Sequence, residues 1–286
     1  MASESKSAIA RRLGVSRSSL YYKSKKPDKD ERLRVQIEEI LINNPGYGHR
    51  RISQSLGANK KRILRVMNMF NLRPSRRCKT PQKPSDIAQK ELNFPCITKT
   101  QCPIVPNYIW VSDFTFISYK GSFVFLSTIL DLYTKEVIGF DVKCNHSVEL
   151  IYDAFSMAIK NQKVLPAYLH SDQGSEYRCL SRLLIKNGIQ VSMSPKASPF
   201  YNGSQESFFG RFKVEFGDPD RFDSFEELTE AICLHIHYYN NHRIHSRLKM
   251  SPVKFRNLKS LSITQEFRTQ LILTKSPEFL FNKRGT

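Results

Sequence analysis

The chain has 286 residues, 40% hydrophobic and 11% aromatic, enough for one sizeable core and a small satellite domain, which excludes a disordered tail protein. Its formal net charge is +19, and residues 1–90 carry 22 Lys and Arg against 7 Asp and Glu, a concentration that points to nucleic acid more than to a solubilising surface. The longest apolar run, Ser122 to Leu130, is too short to span a bilayer, no signal-peptide core stands at the amino terminus, and the six cysteines lack zinc spacing, so a soluble cytoplasmic protein without a membrane segment or structural zinc is expected.

Residues 7–23 read as a helix, a turn at Gly14 and a second helix capped by Ser16. Ile9, Leu13, Val15 and Leu20 form the apolar face, with Arg11, Arg12 and Arg17 outside it. Almost nothing precedes this unit, so residues 1–28 are a partial helix-turn-helix. A fuller one spans 29–72. Leu33, Ile37, Ile40 and Leu41 recur at helical spacing up to the break at Asn43 to Gly48, and two more helices follow. The last is capped by Asn59 and sets Lys60, Lys61, Arg62 and Arg65 beside a stripe of Ile63, Met67 and Phe70. Four cations within six residues, with no acid among them, predict contact with a DNA backbone. Residues 73–106, with six prolines, form a basic linker in which Arg76 and Arg77 are further phosphate candidates.

A catalytic core is expected over 107–258, followed by a tail over 259–286. Tyr108 to Ile117 is a strand apolar on both faces, Ser122 to Asp131 its hairpin partner, and Lys135 to Lys143 a third strand. Helix, strand, helix, strand and helix follow. That order is the one an RNase H-like α/β fold has, with a mixed sheet preceded by small all-α units.

Three carboxylates stand out. Asp113 is a charge inside an apolar strand, costly unless paired or bound to a cation. Asp172 ends the fourth strand, followed by Gly174, at the edge where α/β sheets place their sites. Glu206 begins a helix whose Phe208, Phe209, Phe212 and Phe216 form a buried stripe, while Gly210 and Lys213 continue its flank toward a substrate backbone. Glu215 lies about half a turn round from Glu206 and serves another purpose. Asp131 is expected near Asn107, roughly 20 Å from Asp113, as a structural acid or turn cap. Glu176 is a weaker alternative ligand, and His170 reads as packed or hydrogen-bonded. Three acids without a His or Cys set suit Mg²⁺ or Mn²⁺, with two ions about 3.5–4 Å apart flanking a phosphodiester.

The blocks WVSDFTFI, HSDQGSEY, NGSQESFFGRFKVE and YYNNHRIHSRLKMSPVKF, in that order, closely resemble the OrfB-type transposases of the bacterial IS-three insertion-sequence family, whose core is shared with retroviral integrases. The resemblance covers about Asp30 to Phe255. It implies a triad of Asp113, Asp172 and Glu206 and metal-dependent cleavage and joining of double-stranded DNA at transposon terminal repeats and target. It also implies a homo-oligomer, at least a dimer, acting at the nucleoid, and an upstream-frame partner protein that a frameshift fusion would add to the partial module at 1–28. The match of the carboxyl-terminal block makes Arg243 a candidate backbone contact. The stretch between Asp172 and Glu206 holds 33 residues, two fewer than is common in the family. The rival readings are a catalytically inactive DNA-binding regulator derived from a transposase, and a related nuclease or integrase without strand transfer.

Overall fold

The computed structural model describes residues 5–18, 26–75, 94–99, 102–195 and 202–260. Contacts divide the chain into two units, Met1–Ser75 and Arg76–Thr286.

The first unit is helical. Helix α1, Lys6–Arg12, starts at Ser5, whose hydroxyl accepts from the Ala8 amide, and ends before Gly14 at a φ of +64°. The second helix expected after Gly14 falls largely outside the described residues. Helices α2 (Lys26–Asn43), α3 (His49–Leu56) and α4 (Lys60–Met69) pack around Leu33, Ile37, Tyr47, Ile52, Ile63, Val66 and Met67. The Asn59 side chain caps α4 by accepting from the Lys61 amide. Asp30 on α2 is buried and accepts from Arg65 at 2.8 Å on both oxygens and from Arg62 at 3.4 Å. Burial opposes its ionisation, but the two guanidinium groups outweigh it and hold the carboxyl below its ordinary range. Two of the four cations expected to face DNA therefore also brace α4 against α2.

The second unit is built on a five-stranded sheet of order β3-β2-β1-β4-β5. Strands β1 (Ile109–Tyr119), β2 (Ser122–Asp131) and β3 (Val137–Lys143) form an antiparallel meander, and β4 (Tyr168–Ser171) and β5 (Gln190–Met193) run parallel to β1. The β1–β2 hairpin closes on Lys120 and Gly121, both at positive φ, as a two-residue turn matching the strand twist requires. Helices α5 (Val148–Gln162) and α6 (Ser175–Lys186) cover one face, α7 (Gly203–Phe216) and α8 (Phe225–Asn241) the other. A last helical stretch spans 252–260. This is the RNase H-like arrangement, with the first and fourth strands adjacent.

Each face buries its own core, and alternation along the strands decides which residues go where. Trp110 and Ile129 join Ile151, Phe155, Leu180 and Leu184 beneath α5 and α6. Val111, Leu126 and Leu130 join Phe208, Phe212, Ile232 and Tyr239 beneath α7 and α8. Gly139 lets α5 lie directly on β3: a Cβ there would stand 2.2 Å from the Ala154 carbonyl oxygen.

Candidate active site

The pairing of β1 with β4 sets Ile109, Trp110 and Val111 opposite Tyr168, Leu169 and His170. Continued two residues, the same register brings Asp172, just past the carboxyl end of β4, beside Asp113, which sits within β1 on the face that α7 covers. Asp113 is half-buried and its Oδ1 accepts from the Phe114 amide at 2.9 Å. Burial, and then the Asp172 carboxylate, push its carboxyl up to about 7, with Glu206 adding to the rise against the Phe114 bond. Asp172 presents an exposed residue surface, yet the turn crowds its carboxyl, and that crowding is the main cause of a raised pKa. The Gly174 amide, donating at 3.0 Å, lowers it, Glu176 raises it and His146 lowers it again.

Glu206 comes from the first turn of α7, where it is exposed. What sets that turn in place is Gln205, fully buried between α7 and the sheet. Its Nε2 donates to the carbonyls of Val111 at 2.7 Å and Thr128 at 3.0 Å, and its Oε1 accepts from the Thr128 hydroxyl at 3.0 Å. Thr128 is the cross-strand partner of Asp113. Asn202, capping the same helix, donates to the Ser112 carbonyl at 3.4 Å. Gln205 was missed by sequence reasoning, although it carried a signal: it stands three, four and seven residues before Phe208, Phe209 and Phe212, a polar residue in the apolar stripe.

Beneath β1, Tyr177 of α6 shares a 2.9 Å hydrogen bond with Ser112, and burial raises its hydroxyl well above the ordinary value. At the rim, His146 lies over Phe114 with ring centroids 4.2 Å apart, and its Nδ1 is 3.5 Å from Glu176 Oε1. Glu176 thus belongs to the surroundings of Asp172. Among the described residues no group of three or more His, Cys, Asp or Glu side chains is placed to hold a metal ion.

Two other acids and a histidine are accounted for structurally. Asp131 pairs with Trp110 and not with Asn107, because the hairpin turn is one residue later than expected; it stands three residues along the ladder from Asp113, about 10 Å at ~3.3 Å per residue, nearer than the sequence suggested. It is still a turn cap, accepting from the amides of Asn107, Tyr133 and Thr134 and from the Thr134 hydroxyl. His170 is buried between Ser192 and Ser194, at 2.8 and 2.9 Å.

Of the DNA-contact candidates, Lys60 and Lys61 are exposed, whereas Arg76 and Arg77 lie outside the described residues. Lys213 Nζ is 4.5 Å from the centre of the Phe116 ring. Arg243 is a correction: only 2% of it is exposed, and its Nε and Nη2 donate to Glu215 of α7 at 2.6 and 2.7 Å. A guanidinium buried to this degree, with its Nε and Nη2 bonded to a carboxylate, does not face a phosphate backbone. The motif residue locks α7 to the segment after α8.

An RNase H-like sheet with carboxylates within its first strand, just past the end of its fourth and on the helix above them defines a phosphoryl-transfer core acting on nucleic acid. Models of the integrase core domain match residues 105–199 and 206–261. The chain is 35% identical over 215 residues to a transposase-like protein of Haemophilus influenzae, covering 72% of this chain and 96% of that one. It is 32% identical to InsK of Escherichia coli, named as a transposase of insertion sequence element IS150 (87% and 92% covered), and 33% identical to the 31 kDa protein of insertion element IS600 of Shigella sonnei (85% and 95% covered). The chain belongs to the insertion-sequence transposases of the IS-three type, DDE enzymes that carry out DNA transposition.

Proposed function

We propose that Asp113, Asp172 and Glu206 are the catalytic triad and that they hold two Mg²⁺ or Mn²⁺ ions while the enzyme cuts element-end DNA and joins the freed 3′-hydroxyl to a target. The observation that carries this reading is the register of β1 with β4, which continued two residues sets Asp172 beside Asp113, where burial first and then the Asp172 carboxylate push the Asp113 carboxyl up to about 7. A group of hard oxygen donors that burdens itself in this way fits a divalent cation, which relieves the repulsion. When bound, such ions supply the activation of a water or 3′-hydroxyl and the stabilisation of the departing oxygen.

The chain's own residues supply the geometry. Gln205 and Asn202 fix the first turn of α7 over β1, Gly174 turns the chain tightly behind Asp172, and Lys213 offers a cation on the flank of the same helix as Glu206. The exposed Lys60 and Lys61 support backbone contact by α4, and Arg62 and Arg65 add to it through their exposed portions. A reaction that joins two element ends to one target supports a homo-oligomer, at least a dimer, working at the nucleoid. The likeness to a family whose members act with an upstream-frame protein supports such a partner here, which specific end binding by this chain alone would refute.

The test is nicking of a labelled duplex bearing the element's terminal repeat, with Mg²⁺ and with chelator. Metal-dependent cleavage at the element end followed by joining to a second duplex is the expected outcome. Binding without cleavage in any divalent metal would overturn the proposal.

A further inference from the structure

The far half of the β1–β2 hairpin leaves two large rings in solvent. Phe116 and Phe123 are 56% and 55% exposed, and their rings meet in a T at 5.4 Å between centroids. The cause lies in the topology. Strand β4 ends at Ser171, so among the described residues no strand pairs with β1 on that flank beyond Val111, and what holds the hairpin's outer end is the segment after α7, where the Lys120 amide donates to Asp220 and the Tyr119 hydroxyl to the Phe222 carbonyl. A cross-strand aromatic pair adds stability to a hairpin, but that gain does not require the rings to stay open to water.

Their surroundings say more. The row continues inward through Phe114 and Phe125, both beside His146, which itself lies 3.5 Å from Glu176 at the edge of the acid group. At the outer end, Lys213 crosses from α7 to place its ammonium 4.5 Å from the Phe116 ring centre. Lys213 of α7 and the exposed rings of Phe116 on β1 and Phe123 on β2 thus gather at the outer half of the hairpin, beyond Asp113. Phe116 is three residues past Asp113, about 10 Å along the strand at ~3.3 Å per residue and by alternation on the other face of the sheet, so a nucleotide or two running from a phosphate at the acids to the ring would pass round the β1 edge, where Lys213 of α7 reaches Phe116.

We infer that Phe116 and Phe123 form a stacking platform for an unpaired base adjoining the reacting phosphate, with Lys213 holding the backbone of that nucleotide. The inference rests on the proposed active site for its ligand class, single-stranded DNA continuous with the duplex end. Stacking on an aromatic ring tolerates any base, so the platform reads strand separation and not sequence. Its effect is to favour ends whose terminal pairs have opened, the state in which a strand can be bent toward the acids.

The full chain is titrated, in chelator, with a blunt duplex and with the same duplex carrying a short unpaired extension that contains 2-aminopurine. The wild type binds the extended duplex at least about 5-fold more tightly, the lower bound for one stacked base, and quenches the 2-aminopurine. The double variant Phe116→Ala/Phe123→Ala loses both the preference and the quenching while keeping its affinity for the blunt duplex, and Phe123→Trp retains them. A preference that survives in the double alanine variant overturns the platform. So does an equal loss on both duplexes. If the double variant instead dissociates an oligomer with the preference intact, the rings belong to an interface between copies of the chain. Because binding is read without metal, a wild type that nicks DNA but ignores the extension refutes the platform alone. A protein that prefers the extension yet never nicks refutes the active site alone.

Discussion

Gln205 Nε2 donates to the Val111 carbonyl at 2.7 Å, so the residue just before Glu206 is bonded to the strand position two before Asp113. The distance between two of the three acids is therefore set by a neutral amide buried between helix and sheet. Replacing it with leucine, Gln205→Leu, leaves two carbonyls and the Thr128 hydroxyl without their partner, at about 1–3 kcal/mol for the buried groups. The expected result is a modest drop in melting temperature and a larger fall in nicking turnover with unchanged DNA affinity. Turnover equal to the wild type would show that α7 is positioned by the phenylalanine stripe alone.

Arg243→Met tests the buried pair with Glu215. Removing one partner of such a pair costs about 3–5 kcal/mol, because the remaining charge stays buried. At ~2–4 °C per kcal/mol for a unit of this size, melting falls by roughly 10 °C. The salt dependence of DNA binding by the folded protein stays the same, whereas a phosphate contact would make its slope shallower by nearly one unit.

The raised pKa of Asp113 makes a prediction about pH. Its folded value is about 7 against an ordinary 3.8, so between these values the folded state binds more protons than the unfolded one. Stability at this position is therefore fully present below about pH 4 and declines as pH rises through 7. In chelator, Asp113→Asn should melt above the wild type at pH 8, and the difference should close toward pH 4. Added Mg²⁺ at pH 8 should raise the wild type and leave the variant nearly unmoved. An Asn variant with the same pH profile as the wild type would mean that neither burial nor the neighbouring acids raise Asp113.

The helical unit separates two kinds of cation on one helix. Lys60→Ala and Lys61→Ala are expected to weaken duplex binding on every sequence and to reduce the salt slope by about 0.9 for each phosphate that is no longer neutralised. Arg65→Ala should instead lower the stability of the unit, since Arg65 bonds Asp30 through both carboxylate oxygens. Circular dichroism melts beside binding isotherms distinguish these outcomes.

Much of this was legible in the sequence for identifiable reasons. Strand and helix periodicity located nearly every element of the core, and a charge within an apolar strand marked Asp113. The strand order implied by the chain placed it beside Asp172. Glu206 followed from a helix whose phenylalanine stripe declared its buried face. The partners of long polar side chains were less accessible. Arg243 and Glu215 are 28 residues apart and on different elements, so no spacing rule joins them, and the Arg62 and Arg65 bonds to Asp30 cross from one helix to another. The place of Asp131 hinged on a shift of one residue in a hairpin turn, which only the positive φ of both Lys120 and Gly121 decides. His146 had no signal at all, since its position depends on where β3 delivers the chain to α5.

The most direct test of the central claim is Mg²⁺-dependent nicking of a terminal-repeat duplex by Asp113→Asn, Asp172→Asn and Glu206→Gln, each checked for folding and duplex binding. All three should bind like the wild type and lose cleavage by on the order of 10³-fold or more. Any one of them cutting at the wild-type rate would contradict the assignment of that residue and, with it, the proposed triad.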